Sequence, residues 1–179
     1  MGMNNNKWKL TSKKPVFETK WLTVEERSYL LPDGRVAEGY YHLTRPDYVI
    51  ILAVDDEDRI VVEKQYRRGV DDFVYELPAG WINPDETPVE AAIRELKEET
   101  GLVGEGNNMV EIYPQPGFCS MKANVVMLKI KNKGETNQDD DEDIMFEMKK
   151  VEDVKKMISE GKIKDMGMLA ALTIWENGH

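Results

Sequence analysis

Three closely spaced glutamates are candidates for a catalytic or metal-binding role in this sequence. Residues 80–102 read GWINPDETPVEAAIRELKEETGL and contain Glu95, Glu98 and Glu99. Like charges three or four residues apart destabilise a helix by about a few tenths of a kcal/mol per pair. Clustered carboxylates without matching cysteines or histidines are hard oxygen ligands, which suit Mg²⁺ or Mn²⁺ bound to phosphate. Taken alone, the pattern would more often be a solvated helix face.

The same stretch predicts the helix that positions these glutamates. Thr87 and Glu90 have the spacing of a capping box, and Pro88 stands at the first helical position. Gly101 is a predicted C-terminal cap. Five residues at helical spacing form the expected packing stripe: Val89, Ala92, Ile93, Leu96 and Thr100. The three glutamates should then lie beside the buried face, at the edge of a cleft.

The surrounding pattern predicts an α/β sandwich. Asp33-Gly34, within LPDGR, predicts a hairpin between two strand-like runs in residues 16–42. Further strands are expected at 48–54, 60–65, 73–77, 109–113, 124–130 and 144–148. Two more helices are expected at 151–160 and 165–177. Strands on both sides of a central helix, with helices at the end, favour a sheet packed between helices.

Composition excludes several classes of partner. The 179 residues carry a formal net charge of −10, which disfavours binding to a nucleic-acid backbone. No apolar run has the length of a membrane span, and the opening MGMNNNKWKL lacks the apolar core of a signal peptide. Cys119 is the single cysteine, so an internal disulfide is impossible and a reducing cytoplasm is expected.

The glutamates belong to a longer pattern. From Gly80 to Leu102 the sequence follows Gly-x5-Glu-x7-Arg-Glu-apolar-x-Glu-Glu-x-Gly-apolar without departure. This resembles the complete motif of the Nudix hydrolase family, and chance would produce it about once in ten million chains of this length. The resemblance implies hydrolysis of a nucleoside diphosphate linked to another group. It also implies a mixed sheet between helices, with the motif forming a loop, a helix and a loop.

The resemblance implies a role for each motif residue in turn. Glu95 and Glu99 should be direct ligands of Mg²⁺, with Mn²⁺ as a possible replacement. Glu98 should bind the metal directly or through water, and the main-chain carbonyl of Ala79 often joins these ligands. Bound divalent cations would relieve the repulsion between the glutamates.

Three further motif residues should support this site. By the same resemblance, Arg94 orients the glutamates by ion pairing. Gly80 allows a close backbone approach. Glu86 holds the loop and takes no part in the chemistry.

Motifs outside this stretch resemble the ADP-ribose pyrophosphatase branch of the family. They are KQYRRGVDDFVYELPAGWINPDE at 64–86, YPQPGF at 113–118, and the N-terminal pattern through LPDGR. The branch implies a homodimer formed by an N-terminal β extension, here 1–45, followed by a hydrolase domain at 46–179. It often has an acidic residue shortly after PGF, whereas Met121 stands near that place here. This departure concerns the substrate and leaves the hydrolase chemistry unchanged.

Several residues are candidates for contact with the substrate. Trp21 is expected to stack on the nucleobase of the substrate, or else to pack within its strand. Arg67 suits bidentate binding of phosphate oxygens. Glu76 either contacts substrate or metal or is a solvated strand end. For the base that activates water, the acidic run at 139–143 offers Glu142 first and Asp140 second, with a solvated loop as the alternative.

The sequence therefore predicts a Mg²⁺-dependent pyrophosphatase that cleaves ADP-ribose to AMP and ribose 5-phosphate. The same chemistry on another nucleotide sugar, such as GDP-mannose, is the second hypothesis. A third hypothesis is a nucleotide sensor that does not hydrolyse its ligand. It is disfavoured because such domains commonly lose the motif glutamates, which are all present here.

Overall fold

The computed structural model describes residues 6–133 and 144–178. Contacts between Cα atoms divide the chain into two compact units. The first contains the N-terminal residues to Pro46 together with 115–121, and the second contains 47–114 and 122–179.

The first unit is a three-stranded antiparallel sheet. Its strands are β1 (Lys9–Glu18), β2 (Thr23–Leu30) and β3 (Val36–Thr44), in that order across the sheet. The predicted hairpin at Asp33-Gly34 joins β2 to β3, where Gly34 has a φ of 86° that glycine adopts readily. Residues 115–121 contact β3 through main-chain hydrogen bonds between Leu43 and both Phe118 and Ser120. Every residue of β1 is exposed.

The second unit contains a seven-stranded mixed sheet. Its strands are β4 (Tyr48–Val54), β5 (Arg59–Arg67), β6 (Asp72–Glu76), β7 (Ala79–Trp81), β8 (Leu102–Ile112), β9 (Ala123–Lys133) and β10 (Met145–Lys150). The main order is β10-β5-β4-β9-β8, and β4 runs parallel to β9.

Strands β4 and β5 separate soon after the turn that joins them. They pair only at Val54 and Ile60, and beyond this point β6 pairs with β5 while β7 pairs with β4. The three residues of β7 lie outside the strands expected from the sequence, and the family resemblance implied a loop at the start of the motif. Their pairing fixes Gly80 opposite Val49, which places the start of the glutamate motif on the sheet itself.

Helices cover both faces of this sheet. Helix α1 (Pro88–Thr100) packs on one face against a cluster that includes Val49, Ile51 and Val126. Helices α2 (Val151–Ser159) and α3 (Met166–Glu176) pack on the other face, against Ile50, Leu52 and Val125. Neighbouring residues of β4 thus serve opposite faces, as strand geometry requires. The predicted α/β sandwich with a mixed sheet is confirmed. In the described ranges no helix is long and apolar enough to cross a membrane.

Candidate active site

Helix α1 begins and ends at the residues that the sequence predicted. Thr87 accepts a hydrogen bond from the Glu90 amide, and the Glu90 carboxylate accepts one from the Thr87 amide. Gly101 ends the helix with a φ of 71° and donates its N–H to the Lys97 carbonyl. These caps fix which residues face the sheet, and therefore where each motif glutamate points.

Gly80 and Glu95 meet where β7 passes α1. A Cβ atom added to Gly80 would coincide with the carboxylate group of Glu95. Only glycine therefore leaves room for that carboxylate beside the β7 main chain. The motif glycine and the first glutamate of the helix form one structural unit, and Ala79 directly precedes it in β7.

Arg94 connects the loop before α1 to the glutamates on it. Its Nε and Nη2 donate to the two carboxylate oxygens of Glu86, at 2.7 and 2.9 Å. Its Nη1 lies 2.8 Å from Glu95 Oε1 and 2.9 Å from Glu98 Oε2. Nη2 also donates to the Trp81 carbonyl at 3.0 Å. One planar guanidinium thus holds three carboxylates and the end of β7 in a fixed arrangement.

The electrostatics of this arrangement lower the pKa of Glu86. The hydrogen bond from Arg94 lowers the pKa of Glu86 from its ordinary 4.5 to about 2, and a hydrogen bond from the Asn83 amide adds to the effect. Glu86 is therefore ionised at neutral pH and serves as the fixed counter-charge of Arg94.

Glu99 differs from its two neighbours in being buried. It retains 4% of its surface, whereas the side chain of Glu98 is 39% exposed and that of Glu95 is 15% exposed. The sequence predicted all three glutamates at the edge of the packing face. The structure instead places Glu99 beneath the surface, next to Thr100 at the end of α1, while Val89 and Ile93 keep some exposure.

Arg67 and Glu76 form a second charged group on the same face of the sheet. Arg67 Nε donates to Glu76 Oε1 at 2.8 Å. Burial raises the pKa of Glu76, and Arg67 opposes that shift. Burial lowers the pKa of Arg67, but Glu76 and the charges of Glu63 and Glu99 outweigh it and raise that pKa overall. The interaction links this group to the buried end of α1.

Glu63 was not among the residues singled out from the sequence. It is 2% exposed and lies on β5 directly opposite Glu76 on β6. The available signal was a glutamate at an inward position of the apolar run IVVE, where alternation predicts a buried side chain.

The donor chemistry of the site suits a hard divalent cation, since Glu95 and Glu99 supply carboxylate oxygens. Within the described ranges no three His, Cys, Asp or Glu side chains are arranged to hold a metal together. Arg94 draws Glu95 and Glu98 toward its own guanidinium. The predicted ligand set of Glu95, Glu98, Glu99 and Ala79 accordingly stays a prediction.

The remaining candidates are Glu142, Asp140 and Trp21. Glu142 and Asp140 lie outside the described residues. Trp21 lies in the first unit, in the turn between β1 and β2, and is 55% exposed, with Lys20 Nζ 4.4 Å from its ring centre. It is thus not packed within its strand.

Comparisons with known proteins agree with the motif. A family model for the NUDIX domain matches residues 44–166. ADP-ribose pyrophosphatase of Bacillus subtilis (strain 168) is 29% identical over 160 residues, covering 88% of this chain and 86% of the relative. ADP-sugar pyrophosphatase of Mus musculus is 33% identical over 135 residues, covering 68% of this chain and 61% of the relative.

A solved structure shares the fold. It is described as the crystal structure of an ADP compounds hydrolase, and it superposes with a TM-score of 0.85 at 21% identity. The match covers 98% of this chain and 96% of the other. The resemblance predicted from the sequence is confirmed, and with an unbroken motif on α1 and a family model over most of its length, this chain belongs to the Nudix hydrolase family.

Proposed function

We propose that this hydrolase cleaves the diphosphate of ADP-ribose to AMP and ribose 5-phosphate, with Mg²⁺ as its cofactor. The observation that carries the chemistry is the contact between the Gly80 backbone and the Glu95 carboxylate, close to the buried Glu99. The choice of ADP-ribose follows two relatives, an ADP-ribose pyrophosphatase and an ADP-sugar pyrophosphatase.

Glu95, Glu99 and the Ala79 carbonyl are the proposed metal ligands, and Glu98 binds directly or through water. When bound, Mg²⁺ would neutralise diphosphate oxygens and stabilise charge at phosphorus; Mn²⁺ could replace it. Arg94 keeps the carboxylates oriented through its contacts to Glu86, Glu95 and Glu98. A net charge of −10 opposes the approach of an anionic substrate, and bound cations would reduce that repulsion.

Arg67 is the proposed contact to the diphosphate. Its side chain is 46% exposed although its Nε is held by Glu76, so much of the side chain is accessible to a ligand. Glu76 acts through Arg67 in this account. The base that removes a proton from water is Glu142 or, second, Asp140.

The base of the nucleotide is proposed to stack on Trp21, whose ring is largely accessible. Homodimerisation through the N-terminal β extension, 1–45, is part of the same proposal, and 46–179 form the hydrolase domain. Support comes from apolar side chains of the first unit that are more than half exposed: Trp8, Val16, Phe17, Trp21, Val36 and Tyr41. Exposed apolar surface of this extent is typical of an interface. A cytoplasmic location stays a prediction.

A substrate panel tests the proposal. Product formation would be measured from ADP-ribose, GDP-mannose, other nucleotide sugars and diadenosine polyphosphates, with and without Mg²⁺. AMP released fastest from ADP-ribose, and only with metal, is the expected result. Faster turnover of GDP-mannose would be consistent with the proposed metal site but would show that ADP-ribose is not the preferred substrate. Tight binding of a nucleotide without turnover would favour a sensor.

A further inference from the structure

Glu63 is a buried carboxylate that the proposed chemistry does not use. It follows Ile60, Val61 and Val62 on β5 and shares the face of Val61, against which α1 packs. A carboxylate removed from water is costly unless a positive charge or hydrogen bonds compensate it. An apolar side chain could pack at this position without that cost. Packing alone therefore does not explain why residue 63 is a glutamate.

The strand register increases that cost. Glu63 lies opposite Glu76 on β6, and Phe146 of β10 lies on its other side. Like charges directly opposite each other on neighbouring strands destabilise a sheet. Main-chain pairing fixes the two residues opposite each other, and a nearby cation would relieve the repulsion between their carboxylates.

Arg67 is that cation. It stands four residues after Glu63 on β5, and its side chain extends to Glu76, where Nε donates at 2.8 Å. Its charge also interacts with those of Glu63 and Glu99. Glu76 therefore holds the guanidinium directly and the charge of Glu63 also attracts it, while about half of the Arg67 side chain stays accessible.

We propose that Glu63 is a positioning residue, which together with Glu76 fixes the Arg67 guanidinium in the orientation that receives the substrate diphosphate. This inference rests on the proposed function, in which Arg67 is the phosphate contact. Glu63 contacts neither substrate nor metal in this account. Its removal would leave Arg67 held by Glu76 alone. The guanidinium would then be less well fixed, and the diphosphate would bind less tightly.

A double-mutant cycle tests the inference. Wild type, Glu63→Gln, Arg67→Ala and the double variant would be compared for KM and kcat with ADP-ribose. The same four proteins would be compared for the Kd of its non-hydrolysable methylene analogue in Mg²⁺. Glu63→Gln should raise KM and Kd roughly tenfold, the lower end of what losing an outer partner of a site costs. In the Arg67→Ala background the same change should alter them by less than about twofold.

Glu147→Gln is the matched control, since Glu147 lies on the neighbouring β10 and its side chain is 69% exposed. An equal effect of Glu63→Gln with and without Arg67 would show a purely structural role and overturn the inference. If Glu63→Gln does not fold, Glu63→Asp replaces it, and the same loss of effect in the Arg67→Ala background is required.

The cycle also separates this inference from the proposed function. Turnover of ADP-ribose without coupling between positions 63 and 67 would refute the positioning role alone. Coupling between positions 63 and 67 in the Kd of the analogue, without turnover of ADP-ribose, would refute the proposed hydrolysis of ADP-ribose. It would still support the positioning role of Glu63. Failure of wild type to bind the analogue would refute both.

Discussion

The main chain of Gly80 lies so close to the carboxylate of Glu95 that a side chain at position 80 would occupy the same space. Pairing of β7 with β4 fixes the glycine, and the caps of α1 fix the glutamate. Two distant parts of the motif, separated by 14 intervening residues, thus meet at one point.

Gly80→Ala should therefore displace Glu95 and reduce turnover. The loss expected in kcat is about 100-fold, the scale of a displacement of roughly 1 Å in a catalytic group. Gly69→Ala is the control, because a Cβ at Gly69 meets no atom within 4 Å. Initial rates with ADP-ribose would measure both variants. Similar rates for Gly80→Ala and Gly69→Ala would show that the position of Glu95 is unimportant.

Arg94→Lys should lower both stability and activity. Lysine keeps the charge but loses the planar fork that binds Glu86 through two hydrogen bonds. The expected fall in the free energy of unfolding is about 2 kcal/mol, typical for hydrogen bonds to charged groups. Urea unfolding would measure it.

Arg59→Lys is the matched control for Arg94→Lys, since Arg59 pairs with Asp55 in the turn before β5 and is 38% exposed. A pair of this kind contributes about 0–1 kcal/mol. Equal losses in the two variants would mean that Arg94 has no special role in holding the loop.

The ion pair of Glu86 predicts a specific response to acid. Because its pKa falls from 4.5 to about 2 on folding, its contribution is complete above about pH 4.5 and is lost as the pH falls toward 2. In Glu86→Gln the difference in unfolding free energy between about pH 6 and pH 3 should be smaller than in wild type. Denaturant unfolding at both pH values would measure it. An unchanged difference would show that Glu86 does not contribute to the loss of stability in acid.

Trp21→Ala should weaken substrate binding without removing the chemistry. Loss of a stacked base costs about 1–3 kcal/mol, which corresponds to a rise in KM of roughly five- to 150-fold. Trp8→Ala is the control, because Trp8 is equally exposed but its ring meets Tyr29 edge to face. If the two variants had the same KM, Trp21 would be only one of several exposed rings in the first unit.

Local sequence rules predicted α1 well because its signals are local. The capping box at Thr87 and the left-handed cap at Gly101 act within one turn, and both are present as expected. Helices α2 and α3 also begin and end within one or two residues of the expected positions. The three glutamates stood out through their clustering, and the family resemblance implied the roles of Arg94 and of each glutamate.

The sequence did not predict features that depend on tertiary contacts. Strand β7 exists because β4 supplies its partner, and its own three residues give no strand pattern. The burial of Glu99 follows from how α1 packs on the sheet, and the position of Glu63 opposite Glu76 follows from the pairing of β5 with β6. No spacing rule reports the register between strands, so these relationships needed the folded chain.

The most direct test of the central claim is the Mg²⁺-dependent release of AMP from ADP-ribose by wild type and Glu99→Gln. Wild type should hydrolyse ADP-ribose only with Mg²⁺. Glu99→Gln should lose this activity while it keeps its folded circular-dichroism spectrum. Glu57→Gln, at an exposed turn remote in sequence from the motif, should retain the wild-type rate. Full activity of Glu99→Gln would contradict the proposed metal site.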